Sequence, residues 1–248
     1  MSENFSVSVV ITVYNGEAFI HDAIDTVRKQ SYEPLEIIIV DDGSTDRTGS
    51  NINVDAKGVR CYYQKHQGVS AARNRGITMA RGDVFAFLDV DDLWPSDKLA
   101  EQIACFRAQP ALEIVSGYVQ FMKRVPGAGQ EAVFETTGSP HFVMNLGGAI
   151  IKRSVFDRIG YFDEKLSLAE DANWLLRAFE KRVPIGVLKK VTLYYRRHPG
   201  GISFGRDLRK CGFIAEIKKS LDRRRDCGAS AALLPGLQYC EPSGTDVG

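Results

Sequence analysis

Three aspartates follow a short apolar run in the first half of the chain. The run Val84–Leu88 is followed at once by Asp89, and then by Asp91 and Asp92. An apolar run that starts after Gly82 and ends in acidic residues is typical of a buried strand in a parallel sheet. Ligands bind at the carboxyl ends of such strands, and desolvated carboxylates need a partner there. The spacing suits a hard divalent cation that also contacts phosphate oxygens, unless the aspartates only cap the next helix.

Two further predicted strands end in the same way. Leu35–Val40 is rich in β-branched residues, and Val7–Val13 is a second short apolar run. The polar residues at their ends are Thr12, Tyr14, Asn15, Asp41 and Asp42. The carboxyl ends of parallel strands meet at one edge of a sheet, so a single binding site explains all three endings. Turns and helix caps would have to be invoked separately for each strand.

The bulk composition excludes several classes of protein. The chain has 248 residues, 44% of them hydrophobic, which is enough to form the core of one domain or one and a half. A net charge of +1 gives no signal for nucleic-acid binding. Five dispersed cysteines without a Cys-x-x-Cys pair exclude the usual zinc spacings and favour reduced thiols. Because no apolar run is long enough to span a bilayer, we expect a cytoplasmic protein.

The order of the predicted elements indicates an α/β fold. In the first half, strands alternate with helices such as Val69–Ala80 and Ser96–Ala108, which implies right-handed crossovers and a mostly parallel sheet. The second half is less regular. Its predicted elements are strands over Ile114–Lys123 and Ala149–Lys152, helices from Ser154 and over Ala172–Phe179, and one or two strands in Val183–Arg196.

The C-terminal region predicts a basic amphipathic helix and a tail. Residues 206–226 carry eight Lys or Arg against four Asp or Glu, and their apolar residues fall on one helical face. Packing against the domain is the commoner role of such a helix, and peripheral contact with a membrane is the alternative. Residues 227–248 are rich in Gly, Pro and Ser and are predicted to form a mobile tail.

Five segments together resemble the family 2 glycosyltransferases, which have the GT-A fold. They follow the family's order and extend over about residues 5–203. The segments are Val10–Asn15, Ile39–Asp46, Gly68–Gly76, Phe87–Trp94 and Glu170–Trp174. The resemblance implies a Rossmann-like, mostly parallel sheet flanked by helices over residues 1–205. Its nucleotide-binding half would cover about 5–110, and its acceptor half about 111–205.

The resemblance also implies an activity. It is the transfer of a sugar from a nucleotide-sugar, expected to be a UDP-sugar, to an acceptor hydroxyl with inversion at the anomeric carbon. The acceptor would be a saccharide or a lipid-linked saccharide in bacterial-type polysaccharide or glycolipid synthesis. If the basic helix meets a membrane, the protein would lie on its cytoplasmic face. The acceptor is set by residues 116–148, where the resemblance is thinnest.

Roles for individual donor-side residues follow from the resemblance. Tyr14 would stack on the base, Asp41 would accept the uracil imide proton, and Arg73 would reach the base or the phosphates. Trp174 would form a wall for the sugar or belong to the core. The full set implied for nucleotide-sugar binding is Thr12, Tyr14, Asn15, Asp41, Asp42, Arg73, Asp89 and Trp174.

The resemblance implies a metal site and a catalytic base as well. Mg²⁺ or Mn²⁺ would be held directly by Asp91, with Asp92 in support, and Asp89 would contact the ribose and, directly or through water, the metal. His198 would contact the metal or the phosphates, or be structural. A general base has to reach the attacking hydroxyl, and Asp171 is the first candidate, with Glu170 the second. Both residues could also act only as a helix cap.

Two other functions compete with this interpretation. A sugar nucleotidyltransferase is a related α/β enzyme, but it needs a Gly-rich loop with an arginine after the first strand. This chain has Tyr14, Asn15 and Gly16 there. A non-catalytic module that binds nucleotide-sugars without turnover is the second alternative. The presence of all the expected carboxylates argues against it.

Overall fold

A computed structural model describes residues 4–52, 57–126, 133–201, 204, 212–226 and 237–242. The strands in these residues are β1 Val7–Val13, β2 Glu36–Asp41, β3 Val59–Tyr63, β4 Val84–Asp89, β5 Ile114–Val125, β6 Val133–Thr136, β7 His141–Phe142, β8 Ile150–Lys152, β9 Ile185–Arg197 and β10 Gln238–Cys240. The helices are α1 Ile20–Arg28, α2 Thr48–Asn51, α3 Val69–Met79, α4 Lys98–Ala108, α5 Arg153–Ile159, α6 Glu170–Glu180 and α7 Phe213–Asp226.

The described strands form one sheet in the order β10-β9-β5-β8-β4-β1-β2-β3, and β6 and β7 pair with β5. Strands β4, β1, β2 and β3 are parallel, as are β5, β9 and β10. The short strand β8 is antiparallel to β4 and β5, between which it lies. The prediction of a mostly parallel α/β sheet is therefore confirmed.

Helices cover both faces of the sheet because the central strands are apolar on both sides. In β1, Val9 packs in one buried cluster with residues of α1 and α4. Its neighbour Val10 points to the other face and packs with residues of α3, α5 and α6. Every residue of β1 is buried. Continuous apolar runs of this kind are what parallel strands with two covered faces require.

The second half differs in detail from its predicted elements. The segment predicted as one or two strands forms the single strand β9, and α6 begins at Glu170, before the predicted Ala172. Residues Gln238–Cys240, which were predicted to lie in a mobile tail, form β10 beside β9. There the burial of Cys240 in the core with Leu188 and Leu112 outweighs the polar composition of the flanking residues.

The basic helix is present as α7, and residues 206–211 of the predicted span lie outside the described part. Helix α7 packs on α6, where Arg223 donates two hydrogen bonds to Glu180 and Asn173 donates one to Glu216. This agrees with the first of the two roles considered for the helix. Among the described residues, no helix combines the length and apolar content needed to cross a bilayer.

The close packing of α3 on β1 gives a stability prediction. A Cβ atom at Gly76 would lie 2.3 Å from Cγ1 of the buried, β-branched Val10. We expect Gly76→Val to destabilise the fold by about 1–3 kcal/mol, because overpacking a closed core displaces both elements. Equilibrium denaturation with urea measures the change. As a control, Thr78→Val places the same side chain at an exposed position of α3 and should shift stability by less than about 0.5 kcal/mol.

Candidate active site

The predicted polar strand ends meet at one edge of the sheet. Thr12 is the register partner of Asp89 in β4, and Val13 is the partner of Asp41 in β2. The loops after β1 and β2 are joined by Asn15, whose N–H donates to Ser44 Oγ at 2.9 Å. Asn15 Oδ1 also accepts a hydrogen bond from the Thr45 N–H at 2.8 Å. Asn15 thus links the two loops, and its predicted contact with a nucleotide-sugar stays a prediction.

Asp41 and Asp42 have different surroundings, although they are adjacent. Asp41 is buried, and its Oδ1 accepts the Ser44 N–H at 2.8 Å. Asp42 is buried too, and both of its oxygens are used inside the protein. Its hydrogen-bond donors are Gln64 Nε2, Gln67 N and Gly68 N, and His66 Nδ1 lies 2.8 Å from Oδ2. Asp42 therefore fastens the segment after β3 to the end of β2.

Arg73 joins the strand end of β4 to the start of α6. Its two terminal nitrogens donate to Asp89 Oδ1 at 2.8 Å and to Glu170 Oε1 at 2.7 Å. Only 5% of its side chain is exposed. Burial alone would lower the pKa of Arg73, but the carboxylates of Asp89 and Glu170 raise it by more. Arg73 was predicted to reach the base or the phosphates, and here it pairs with the two carboxylates.

Asp91 is partly exposed, whereas Asp92 is buried. Asp92 Oδ1 accepts the Arg196 N–H at 3.0 Å. Burial, followed by the nearby Asp91 and Asp89, raises the pKa of Asp92 well above its usual value. His198 Nε2 lies 3.1 Å from Asp91 Oδ2, so the strand end of β9 reaches the predicted metal-binding residues.

The candidate base lies at the first turn of α6. The residue before the helix, Ala169, has a left-handed backbone with φ 59°, which is rare and strained for a residue with a Cβ atom. Asp171 is half-buried, and its Oδ1 accepts the Ala172 N–H at 2.6 Å. Burial, with a further contribution from Glu170, raises the pKa of Asp171 to about 6, although Arg73 opposes this.

Trp174 belongs to the core. Its side chain is fully buried, stacks on Phe156 with ring centroids 4.5 Å apart, and donates a hydrogen bond from Nε1 to the Gly160 carbonyl. This is the second of the two roles left open by the sequence. By anchoring α6, Trp174 fixes the position of the carboxylates one turn earlier.

Sequence reasoning missed several residues that build the site. Arg196 donates to the Asp91 carbonyl and, at 2.8 Å, to Asp22 Oδ2, so it joins α1, β9 and the aspartate turn. Asn74 exchanges two hydrogen bonds with the backbone of Phe162 and thereby holds the segment before α6 against α3. Asn74 lies in one of the five segments and Arg196 at the end of the region predicted as one or two strands, but the sequence does not show which distant residues these side chains contact.

The residues at the strand end suit a divalent cation. Asp89 and Asp91 have side chains that are 38% and 30% exposed, so both can offer carboxylate oxygens to an ion shared with a phosphate. Asp92 is too buried to do so without moving. Among the described residues, no group of three or more His, Cys, Asp and Glu side chains is arranged to hold a metal ion.

Comparisons with known proteins identify the family. The model of "Glycosyl transferase family 2" matches residues 8–166. The chain belongs to this family. EpsJ of Bacillus subtilis, named an uncharacterized glycosyltransferase, is 31% identical over 216 residues, which are 79% of this chain and 62% of that protein. A Haemophilus influenzae protein named an uncharacterized glycosyltransferase is 39% identical over 119 residues, which are 46% of this chain and 47% of that protein. The chain thus spans about half to three fifths of these relatives.

One relative in the family matches over nearly its whole length. It is WfaP of Escherichia coli, named a UDP-Glc:alpha-D-GlcNAc-diphosphoundecaprenol beta-1,3-glucosyltransferase. It is 28% identical over 247 residues, which are 94% of this chain and 95% of that protein. Among solved structures, residues 1–349 of S. aureus TarS in complex with UDP-GlcNAc superpose with a TM-score of 0.70 at 20% identity. The match covers 87% of this chain and 65% of that one, and it confirms the GT-A fold.

The raised pKa of Asp171 gives a prediction about stability and pH. The folded protein binds this proton more tightly than the unfolded chain, so folding stability falls as the pH rises from about 4 to 6. At pH 7.5 Asp171 is ionised, so the folded state carries the full destabilisation that comes from its raised pKa. Asp171→Asn should therefore be more stable than wild type by about 1–3 kcal/mol at pH 7.5, and the gain should vanish near pH 4.

Urea denaturation at the two pH values measures this difference. Asp157→Asn on α5 is the control, because Asp157 is exposed and its replacement should have the same small effect at both values. An Asp171→Asn variant whose stability relative to wild type does not change with pH would contradict the assignment of the raised pKa.

Proposed function

We propose that this protein transfers a sugar from a UDP-sugar to a hydroxyl of a lipid-linked saccharide, with inversion at the anomeric carbon. One observation carries the proposal. The buried guanidinium of Arg73 donates hydrogen bonds both to Asp89, at the strand end where a donor would bind, and to Glu170, beside the candidate base. Transfer needs a donor phosphate and an acceptor hydroxyl at one place, and Arg73 joins the residues for both.

The donor side can hold a nucleoside diphosphate. Tyr14 is 47% exposed and offers an aromatic ring to a planar base. Asp41 Oδ2 has no hydrogen-bond donor among the described residues, so it can accept an imide N–H from uracil. Thr12 lies at the same sheet edge, because β1 pairs with β2 and β4 there, and its backbone would meet the edge of the base.

Of the two adjacent carboxylates, Asp171 is the better base. Glu170 Oε1 already accepts a hydrogen bond from Arg73 at 2.7 Å, so the side chain is held on Arg73 and away from an acceptor. The pKa of Asp171, about 6, keeps it ionised at neutral pH and close to the value at which a general base works well. Inversion follows if Asp171 activates the hydroxyl on the face of the sugar opposite the phosphate.

A divalent cation, Mg²⁺ or Mn²⁺, fits this chemistry. Asp91 and Asp89 would hold it, and His198 would steady Asp91. The ion would neutralise the charge that builds up on the departing nucleoside diphosphate. Asp92, whose Oδ1 already accepts the Arg196 N–H, would support the turn.

A lipid-linked acceptor agrees with the activity that the name of WfaP describes and with the outer face of α7. Ile214 is 54% exposed and Leu221 is 36% exposed, and Lys218 and Arg225 lie on the same helical face. Apolar side chains between cations suit the surface of an anionic membrane. We therefore propose that the reaction takes place at the cytoplasmic face of a membrane, in polysaccharide or glycolipid synthesis.

The two competing functions predict different products. A nucleotidyltransferase would make or release pyrophosphate, and a binding module would bind UDP-sugar without turnover. The transferase proposed here releases free UDP and forms a glycosylated acceptor. Product analysis with a panel of UDP-sugars and a lipid-diphosphate saccharide acceptor separates the three functions.

The metal assignment can be tested at Asp91. Asp91→Asn should keep the fold but reduce UDP release by orders of magnitude, because an amide oxygen binds Mg²⁺ or Mn²⁺ poorly. Asp25→Asn is the control, since Asp25 is an exposed residue of α1 whose ion pair with Lys29 lies on the surface. If wild-type protein treated with a chelator releases UDP as fast as untreated protein, metal dependence is wrong.

The base assignment can be tested by separating binding from turnover. Asp171→Asn should bind UDP like wild type and lose about 10²- to 10⁴-fold in transfer rate, the usual cost of removing a general base. Asp41→Ala should weaken UDP binding first. Calorimetric UDP titration and transfer assays measure the two effects. If Asp171→Asn keeps the full transfer rate and Glu170→Gln loses it, the base is Glu170. If neither variant loses transfer rate, the two carboxylates act only as a helix cap and neither is the base.

A further inference from the structure

An aromatic pair spans the end of β2. Tyr14 follows β1 and His66 follows β3, and β2 lies between these two strands. The two rings stack with centroids 4.1 Å apart and planes inclined by 25°. They therefore meet across the strand end that carries Asp41. Two aromatic rings and one buried carboxylate therefore lie at the same end of the sheet.

The two rings are held very differently. His66 Nδ1 lies 2.8 Å from Asp42 Oδ2 and 3.1 Å from the Asp42 carbonyl oxygen. The backbone of His66 also lies close to Gly43. A Cβ atom added at Gly43 would be 2.7 Å from the backbone nitrogen of His66. Tyr14, in contrast, makes no hydrogen bond with any described residue. His66 is thus the fixed ring and Tyr14 the movable one.

We propose that Tyr14 and His66 form a two-sided clamp that holds the nucleobase of the donor between their rings. The proposal rests on the nucleotide-sugar function above and adds His66 as a binding residue. A planar base has two π faces. When it enters between the rings, one face stacks on Tyr14 and the other stacks on His66. Tyr14 moves aside on binding, whereas His66 stays on Asp42.

The position of Asp41 favours this clamp over stacking on Tyr14 alone. A base on the outer face of Tyr14 would have the tyrosine ring between itself and the end of β2. A base between the rings lies over that strand end, where Asp41 Oδ2 can accept its N–H. The clamp also explains why both oxygens of Asp42 are used to hold the segment from Gln64 to Gly68.

The test is calorimetric titration of the full chain with UDP, UMP and inorganic pyrophosphate. His66→Ala should weaken UDP and UMP binding by about 5- to 150-fold, the range for one base–aromatic stack, and leave pyrophosphate binding unchanged. His66→Phe keeps an aromatic face and should recover most of the affinity. In transfer assays, His66→Ala should raise the donor KM and leave kcat at saturating donor near the wild-type value.

A matched control is available in the acceptor half. His141 is exposed and packs on Phe121 with ring centroids 5.4 Å apart, so His141→Ala removes a similar histidine outside the clamp and should not change UDP affinity. Thermal melts verify that each variant is folded.

Three results would overturn the clamp. The first is normal UMP binding by His66→Ala together with a loss in Tyr14→Ala, which would place the base on Tyr14 alone. The second is binding by His66→Phe as weak as that by His66→Ala, which would assign the effect to the contact with Asp42. The third is wild-type protein that binds none of UDP, GDP and ADP, which would overturn the nucleotide-sugar function as well. Only the first two leave that function standing.

Discussion

The concentration of negative charge at one sheet edge is the constraint on which the rest of the site depends. Parallel strands bring Asp41 and Asp89 to the same edge, and α6 adds Glu170 and Asp171. Arg73 lies buried among three of these carboxylates, and one guanidinium cannot neutralise them all. The remaining charge favours a cation at the partly exposed Asp89 and Asp91, and it adds to the effect of burial, the larger cause, in raising the pKa of Asp171. The same imbalance therefore accounts for the proposed metal and for the proposed base.

The raised pKa of Asp171 has a cost that the surrounding structure has to offset. An ionised, half-buried carboxylate beside Glu170 destabilises the fold, and the left-handed backbone of Ala169 adds strain of about 1–3 kcal/mol. The stacking of Trp174 on Phe156 and the hydrogen bonds of Asn74 hold this turn in place. Strain that persists only where neighbouring packing enforces it is typical of functional sites. A fully buried tryptophan beside the carboxylates is part of that enforcement.

The sequence predicted the strand ends well and the side-chain partners poorly. Apolar runs with a period of two or with two buried faces are local signals. Strands β1, β2 and β4 could therefore be predicted, together with the aspartates that end β2 and β4. Whether a side chain faces an opening or the core depends on packing between distant segments. Asp42 was predicted to bind the nucleotide-sugar, and Trp174 either to form a wall for the sugar or to belong to the core. In the structure, Asp42 accepts hydrogen bonds from the protein itself and Trp174 is fully buried. The role of Arg196 depends on strand β9 reaching the aspartate turn from about a hundred residues away.

The proposed donor side and the proposed acceptor side are built on different physical principles. The donor side consists of strand ends whose loops are tied by short hydrogen bonds, such as those from Asn15 and Asp42, and it is nearly preorganised. Preorganised groups bind a ligand without losing much conformational entropy, so one arrangement serves every donor with the same base and diphosphate. In the proposed function the acceptor side would be formed by β5 and by the short strands β6 and β7, which among the described strands pair with β5 alone. Few constraints from the sheet act on such peripheral strands, so substitutions there can change the acceptor without disturbing the cluster around Arg73.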